Sequence, residues 1–112
     1  MGRCRGLGGR LRRGEVWVAE VAGKRRPVLV LTRSEVLDVR RLVTVAEVMT
    51  KVRGLAVEVH LGQREAGLDQ PSVVNCDGIH TIEQGGLTGP IGAVDEATMR
   101  AVCSAVEHAL GC

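Results

Sequence analysis

The chain has 112 residues, 45% of them hydrophobic and 25% charged, which fits one globular domain. It has no run of eighteen apolar residues, which excludes a membrane-spanning helix, and no apolar segment after the first basic residues, so we expect no secretory signal. The net charge of +2 is uneven: residues 1–13 carry five arginines and no acid, leaving ten basic against thirteen acidic residues elsewhere.

This asymmetry predicts a basic, disordered arm over residues 1–11 and a folded domain over residues 12–112. Contact with nucleic acid is the functional alternative for the arm. The four cysteines show no C-x-x-C spacing, and with no signal expected we predict reduced thiols and a cytoplasmic protein. Cys76 and His80 lack a second pair of ligands, so we predict neither a metal site nor a cofactor.

The first segments of the domain indicate a β-hairpin. Residues 14–21 alternate between apolar and polar side chains, which is typical of a strand, and residues 22–24 form a short turn. Pro27 begins the second strand, where its missing N–H is tolerated. Residues 28–32 are continuously apolar, so this strand is expected to be buried on both faces.

Short segments of strand and loop character continue to residue 93. They are one helical turn within 34–40, a strand at 41–48, a connection at 50–54, a strand at 55–61, a loop at 62–71, a strand at 72–77 continued at 78–83 after a kink at Gly78, and a last strand at 88–93. In the fourth strand, Glu58 and His60 share one face. Short strands at this spacing favour a small barrel over a βαβ sheet.

The end of the chain predicts an amphipathic helix. Asp95 is its N-cap and Gly111 ends it. The residues at helical spacing that form its apolar face are Met99, Val102, Cys103, Val106, Ala109 and Leu110. On this helix Cys103 and His108 do not face each other, so Cys103 is expected to be a buried small hydrophobe rather than a nucleophile.

Five segments in order carry a family resemblance: RRGEVWVAEV, KRRPVLVLTR, VRGLAVEV, SVVNCDGIHTIE and GPIGAVDEATMRAVCSAVEHALG. Over about residues 12–111 the chain resembles the MazF/PemK family of bacterial toxins. The resemblance implies a mainly β fold with a C-terminal helix, the small SH3-like β-barrel of the MazF/PemK/CcdB kind, in a homodimer. It also implies a type II toxin that cleaves single-stranded RNA without a metal, leaves 2′,3′-cyclic phosphate and 5′-hydroxyl ends, and is held inactive by a MazE-like antitoxin.

The resemblance implies a catalytic role for Arg26, which stands directly before Pro27. A guanidinium can donate two parallel hydrogen bonds to a phosphate, and it keeps its own proton, so stabilisation of charge is the expected role. The alternative is a surface arginine whose stem covers apolar side chains. Lys24 and Arg25 are expected to steer or grip backbone phosphates.

The resemblance also identifies a departure. The family's usual threonine or serine falls on Met49, and the proline that commonly precedes it falls on Glu47. Thr50 is the candidate substitute, although neighbouring strand residues point to opposite faces. Asp77 matches the acidic residue of the PemK branch, whose arginine two residues earlier is replaced here by Asn75.

His80 is the remaining catalytic candidate, since a histidine exchanges protons near neutral pH. A turn carboxylate for Asp77 and an exposed strand residue for His80 are the structural alternatives. Trp17, the one aromatic residue besides the histidines, is expected to stack on bases, and Lys51 and Arg53 complete the RNA-binding set. Two other functions stay open: a weak or inactive RNA- or antitoxin-binding protein, and a CcdB-like gyrase-binding toxin.

Overall fold

Six antiparallel strands and one long C-terminal helix form the fold of the computed structural model, which describes residues 11–37, 41–62 and 66–111. The elements in chain order are β1 (Glu15–Val21), β2 (Lys24–Val30), α1 (Ser34–Leu37), β3 (Leu42–Met49), β4 (Glu58–His60), β5 (Val73–Glu83), β6 (Thr88–Ala93) and α2 (Glu96–Leu110). The strands lie in the order β4-β5-β3-β2-β1-β6. The mainly β fold with a C-terminal helix is therefore confirmed, but within the described residues the sheet stays open and does not close into a barrel.

The predicted hairpin of β1 and β2 is confirmed, with Val21 paired to Lys24 across a two-residue turn. β2 begins three residues earlier than predicted, so the three cationic residues lie within the strand. Pairing of β2 with β3 starts only at Val28, opposite Glu47. Pro27 therefore has no ladder partner on the β3 side, which is why its missing N–H is tolerated there.

The sheet buries apolar side chains on both faces. One face packs against α2 and contains Val16, Leu29, Ala46 and Val74, together with Met99 and Val102 of the helix. The other face contains Trp17, Val28, Val30, Val43 and Val45. Val28, Leu29 and Val30 are all fully buried, which confirms that β2 is covered on both faces.

The ends of the C-terminal helix and the kink of the fifth strand also match expectation, but Leu110, predicted on the apolar face of the helix, is 67% exposed. The Asp95 carboxylate accepts from the N–H of Thr98 at 2.8 Å, and Gly111 ends the helix in the left-handed conformation. β5 runs from Val73 to Glu83, and its pairing with β3 slips between Ala46↔Ile79 and Glu47↔Asn75, which leaves residues 76–78 as a bulge at the predicted kink. Among the described residues, no helix is long and apolar enough to cross a membrane.

Three expectations need correction. β4 covers only Glu58–His60, not 55–61, because the Glu58 side chain binds the backbone of the preceding loop, and Leu55 is exposed. Leu11, assigned to the arm, is buried in the core. Cys103 is only half-buried, and its sulfur accepts from Arg13 Nη2 at 2.8 Å. Four parts of the chain lie outside the described residues: the rest of the arm (1–10), residues 38–40, residues 63–65 and Cys112.

Candidate active site

Strand register brings three polar side chains onto one face of the sheet. Val28 of β2 lies opposite Glu47 of β3, and Val45 of β3 lies opposite His80 of β5. Directly opposed residues share a face, as do residues two apart along a strand. Arg26, Glu47 and His80 therefore lie on the same face, at the end of the core that contains Val28 and Val45.

The Glu47 carboxylate binds both of its neighbours. Oε1 accepts from Arg26 Nη1 at 3.2 Å, and Oε2 lies 2.5 Å from His80 Nε2. The three side chains are shielded to different degrees, Glu47 being 12% exposed, Arg26 22% and His80 33%. Among the described residues, the buried Arg26 Nε has no hydrogen-bond partner. We name Arg26, Glu47 and His80 the catalytic cluster, after the role that is proposed for them below.

The bulge of β5 supports this cluster. A Cβ on Gly78 would lie 3.0 Å from Asn75 Nδ2 and 3.1 Å from Glu47 Cδ, so any larger residue would press on the carboxylate. The Asn75 side-chain oxygen accepts from the N–H of Asp77 at 3.1 Å and orders the bulge. Asp77 directly precedes Gly78 in the chain, and its side chain is exposed. Of the two predicted residues of β5, His80 contacts Glu47, and Asp77 lies exposed in the bulge.

Thr50 does not join the cluster. It lies with Pro27 and Val48 in the wall of a separate cavity, which also includes Gly67 and Gln70. Arg26 and Pro27 are neighbours in β2, as are Glu47 and Val48 in β3, and neighbouring strand residues point to opposite faces. The cavity and the catalytic cluster therefore lie on opposite sides of the same two strands.

The predicted RNA-binding residues divide into three groups. Lys24, Arg25 and Lys51 are exposed near the ends of β2 and β3. Arg53 forms an ion pair with Glu58, in which its Nε lies 3.2 Å from Oε2. Trp17 is 2% exposed, and its indole N–H donates to Glu15 at 3.0 Å. Its ring faces are covered by core side chains, so we leave Trp17 out of the RNA-binding surface.

Glu58 organises the loop that carries Arg53. Its carboxylate accepts from the N–H groups of Arg53, Gly54 and Leu55 at 2.8–3.2 Å, and its side chain is 2% exposed. Burial raises the pKa of this carboxyl, but the hydrogen bonds from Leu55, Arg53 and Gly54 together outweigh burial, so the net pKa is lowered from 4.5. The loop is therefore fixed by an ionised carboxylate.

Cys76 is no nucleophile in this arrangement. It is fully buried, and burial, with the nearby charge of Asp77, raises the pKa of its thiol to about 11. The described residues also contain no group of three or more histidine, cysteine, aspartate or glutamate side chains arranged to hold a metal ion.

Sequence reasoning missed the role of Glu47. It was identified only as the position where the resemblance expects proline. The signal in the sequence was an acidic residue within the apolar strand 42–49. Glu47 lies two residues after Val45 and four after Val43, so it shares the strand face of these two buried valines. A carboxylate in that position needs partners, and Arg26 and His80 supply them.

Comparison with known proteins places the chain in a family. The family model of PemK-like, MazF-like toxins of type II toxin–antitoxin systems matches residues 12–110. A relative named probable endoribonuclease MazF5, from Mycobacterium tuberculosis, is 39% identical over 101 residues, covering 89% of this chain and 93% of the relative. The chain therefore belongs to the PemK-like, MazF-like toxin family.

Two solved structures agree with this membership. The Mycobacterium tuberculosis toxin MazF-mt6 superimposes with a TM-score of 0.81 at 40% identity, covering 87% of this chain and 96% of that one. An endoribonuclease in complex with its cognate antitoxin, from a mycobacterial species, gives a TM-score of 0.81 at 26% identity, covering 90% and 95%. The mainly β architecture and the helix α2 are thus features of the family.

Proposed function

We propose that this toxin is a MazF-type endoribonuclease that cleaves single-stranded RNA without a metal, leaving 2′,3′-cyclic phosphate and 5′-hydroxyl ends. The observation that carries the proposal is the Glu47 carboxylate, which holds an arginine and a histidine on one face of the sheet. Family membership supports the endoribonuclease class, and the catalytic cluster together with Asp77 supplies groups suited to each demand of the reaction.

Arg26 stabilises the negative charge that develops on the phosphorus centre. A guanidinium has five N–H donors. One of the Arg26 donors is engaged by Glu47 at 3.2 Å, and Nε has no partner among the described residues. The remaining donors can bind phosphate oxygens in pairs, which is the interaction an arginine makes best. Partial burial strengthens this interaction relative to water.

His80 transfers a proton with the help of Glu47. A histidine that gives up or takes a proton needs a fixed ring and a fixed tautomer, and a carboxylate on one ring nitrogen provides both. The contact of Glu47 Oε2 with His80 Nε2 is of this kind. A protonated ring paired with Glu47 is suited to protonate the departing 5′-oxygen.

Asp77 is the candidate base of the same reaction. Its exposed carboxylate stands three residues from His80 in β5. In the proposed step the 2′-hydroxyl gives its proton to Asp77, and the 2′-oxygen forms a bond to phosphorus. The bond from phosphorus to the 5′-oxygen breaks, and that oxygen takes the proton of His80. Atoms and charge balance without water or metal.

Two protein partners follow from the proposal. We propose a MazE-like antitoxin as the inhibitor, supported by the family description and by the antitoxin complex of the mycobacterial relative. A second copy of the chain is proposed as the homodimer partner, and the cytoplasm as the compartment, since it holds the RNA. Lys24, Arg25 and Lys51 would guide RNA to the cluster through its phosphates.

Cleavage of a long single-stranded RNA by the purified, antitoxin-free chain in EDTA tests the proposal. End-group analysis should find cyclic phosphate on one fragment and a 5′-hydroxyl on the other. Absence of cuts at high enzyme concentration, with binding of the same RNA retained, would replace the proposal with an inactive RNA-binding protein. Cuts that disappear in EDTA and return with Mg²⁺ would overturn the metal-free chemistry.

A further inference from the structure

Asn75 lies on the same face of the sheet as the catalytic cluster. It is paired with Glu47 of β3, and directly opposed residues share a face. Its chain neighbours Val74 and Cys76 are both buried in the core that packs against α2, so the Asn75 side chain lies on the opposite side of the sheet from theirs. In the strand order β5-β3-β2, Glu47 stands between Asn75 on one side and Arg26 on the other.

One hydrogen bond fixes the direction of the Asn75 amide. The backbone N–H of Asp77 donates to its side chain at 3.1 Å. Only the carbonyl oxygen of an amide can accept this bond, so the oxygen is turned towards Asp77 and the NH2 group away from it. Nδ2 then lies on the side of Glu47, because a Cβ built on Gly78 would meet Nδ2 at 3.0 Å and Glu47 Cδ at 3.1 Å. The NH2 group and the carboxylate are thus neighbours across the space that Gly78 leaves open.

The NH2 group is an unused donor beside the cluster. Within the part of the chain that the structure describes, the Asn75 side chain makes its hydrogen bond through Oδ1, and Nδ2 donates to no protein acceptor. Both oxygens of Glu47 already have partners, in Arg26 and His80. Asn75 is half-buried, so a substrate can reach Nδ2 where part of the surrounding water is excluded. A fixed donor in such a place suits an oxygen that gains negative charge.

The neighbouring residues at the end of β3 cannot provide this donor. Met49 has a thioether, which carries no hydrogen to donate. Thr50 lies in the wall of the cavity on the other side of β2 and β3. The Asn75 amide stands across Glu47 from Arg26, so it would approach a phosphate from a different direction than the guanidinium. The two groups together would surround the phosphate oxygens with donors from two strands.

We infer that Asn75 is a further catalytic residue, whose Nδ2 donates a hydrogen bond to a non-bridging oxygen of the cleaved phosphate as negative charge builds up there. The inference rests on the proposed function, because it adds a donor to the same step. Arg26 binds the phosphate from the side of β2 and Asn75 from the side of β5. The bond from Asp77 and the open space at Gly78 hold the amide ready for this contact.

Two variants separate the NH2 group from the rest of the side chain. Asn75→Asp has nearly the same shape and keeps an oxygen that can accept from the N–H of Asp77, but it lacks the donor, and Asn75→Ala lacks both groups. Cleavage of a short RNA in EDTA should show kcat lowered by about 10²–10³-fold in both variants, with little change in KM. Thr81→Ala is the matched control and should keep the wild-type rate, because Thr81 contacts Thr44 on the opposite face of β5.

Sulfur substitution in the RNA shows whether the NH2 group touches the phosphate. Each non-bridging oxygen at the cleavage site is replaced in turn, as the Rp and the Sp phosphorothioate, and sulfur accepts hydrogen bonds only weakly. The wild type should be slowed when the oxygen bound by Nδ2 is replaced. For that diastereomer the slowing should be about 10-fold smaller in Asn75→Ala, which corresponds to the loss of one hydrogen bond. A residue that only shapes the bulge would leave the slowing by sulfur unchanged for both diastereomers.

The outcomes separate this inference from the proposed function. If the wild type cuts RNA and sulfur slows Asn75→Ala as it slows the wild type, for both diastereomers, Asn75 does not touch the phosphate and the inference is wrong, while the proposed function stands. Wild-type kcat in Asn75→Asp would also overturn it, since the acceptor alone would then suffice. If the wild type leaves RNA uncut, the proposed function fails and the inference with it. Should the melting temperature show that Asn75→Ala is unfolded, the sulfur effects on Asn75→Asp decide in the same way.

Discussion

Glu47 and His80 are 33 positions apart in the chain, yet the pairing of β3 with β5 joins their side chains through Oε2 and Nε2. The other carboxylate oxygen of Glu47 binds Arg26. In the proposed mechanism, one acidic residue therefore fixes both the group that binds the phosphate and the group that transfers a proton. Removing its charge is expected to disturb two catalytic functions at once.

Glu47→Gln should lower kcat by about 10²-fold, with a much smaller change in KM. Arg26 and His80 contact different oxygens of Glu47, and an amide would replace one of these two acceptors by an NH2 donor. Single-turnover cleavage of a short RNA, with melting temperature measured alongside, checks this. The matched control is Glu83→Gln, which changes an exposed acid paired with Arg41 on the surface and should leave cleavage unaffected. A variant as active as the wild type would exclude Glu47 from the mechanism.

Arg26→Ala should lower kcat/KM by about 10²–10³-fold, the usual effect of removing one positioned donor to developing negative charge. Arg26→Lys should recover little of this loss, because an ammonium cannot reproduce the two parallel hydrogen bonds of a guanidinium. Initial rates in EDTA on one fluorescent RNA measure both variants.

The control for Arg26 is Arg41→Ala, since the Arg41 guanidinium is exposed and forms a long ion pair, at 3.7 Å, with Glu83. Such surface pairs contribute little to stability. Full activity of Arg26→Lys would argue that a single positive charge suffices and would remove the bidentate contact from the mechanism.

His80→Gln should lower kcat by about 10²–10⁴-fold, which is the contribution of a positioned acid or base. His60→Gln is the comparison, because His60 is exposed in β4 and lies outside the cluster. Cleavage of an RNA with a 5′-phosphorothiolate leaving group, which needs no proton, distinguishes the role. Such a substrate should restore the rate of His80→Gln if His80 is the acid, and no recovery would assign it to another step.

Local patterns predicted most of the fold because each element has its own signal. Residues close together in the chain produce the alternation in β1, the apolar run in β2 and the capping signals of α2. β4 is shorter than its alternation suggests, since the Glu58 carboxylate meets backbone donors that no pattern reveals. The open sheet likewise depends on which strands meet, which is a long-range property.

The catalytic cluster was predictable only in part. Arg26 was singled out from the resemblance and His80 for its proton chemistry, and in the structure both side chains contact Glu47. Glu47 was missed because its partners come from β2 and β5, and only the strand register unites them. For Trp17 the strand was predicted correctly but the role was not. The alternation of β1 places its indole in the core, where it cannot stack on a base.

The last prediction concerns stability and pH, through Glu58. The hydrogen bonds to its carboxylate lower its pKa below the ordinary 4.5, so ionised Glu58 stabilises the folded state above that value. This contribution is lost as the pH falls through the lowered pKa of the folded state. Glu58→Gln should therefore be less stable than the wild type near pH 7, and the difference should shrink below about pH 4.

Urea unfolding followed at several pH values measures this difference, with Glu107→Gln, an exposed acid of α2, as the control. The control should show no pH-dependent gap of this kind. Because Glu58 also holds the backbone and the guanidinium of Arg53, Glu58→Gln should release that side chain. RNA affinity at low salt should then rise slightly as an additional cation becomes available to phosphates. A stability gap that stays constant from pH 7 to pH 3 would show that the carboxylate acts through its shape and not through its charge.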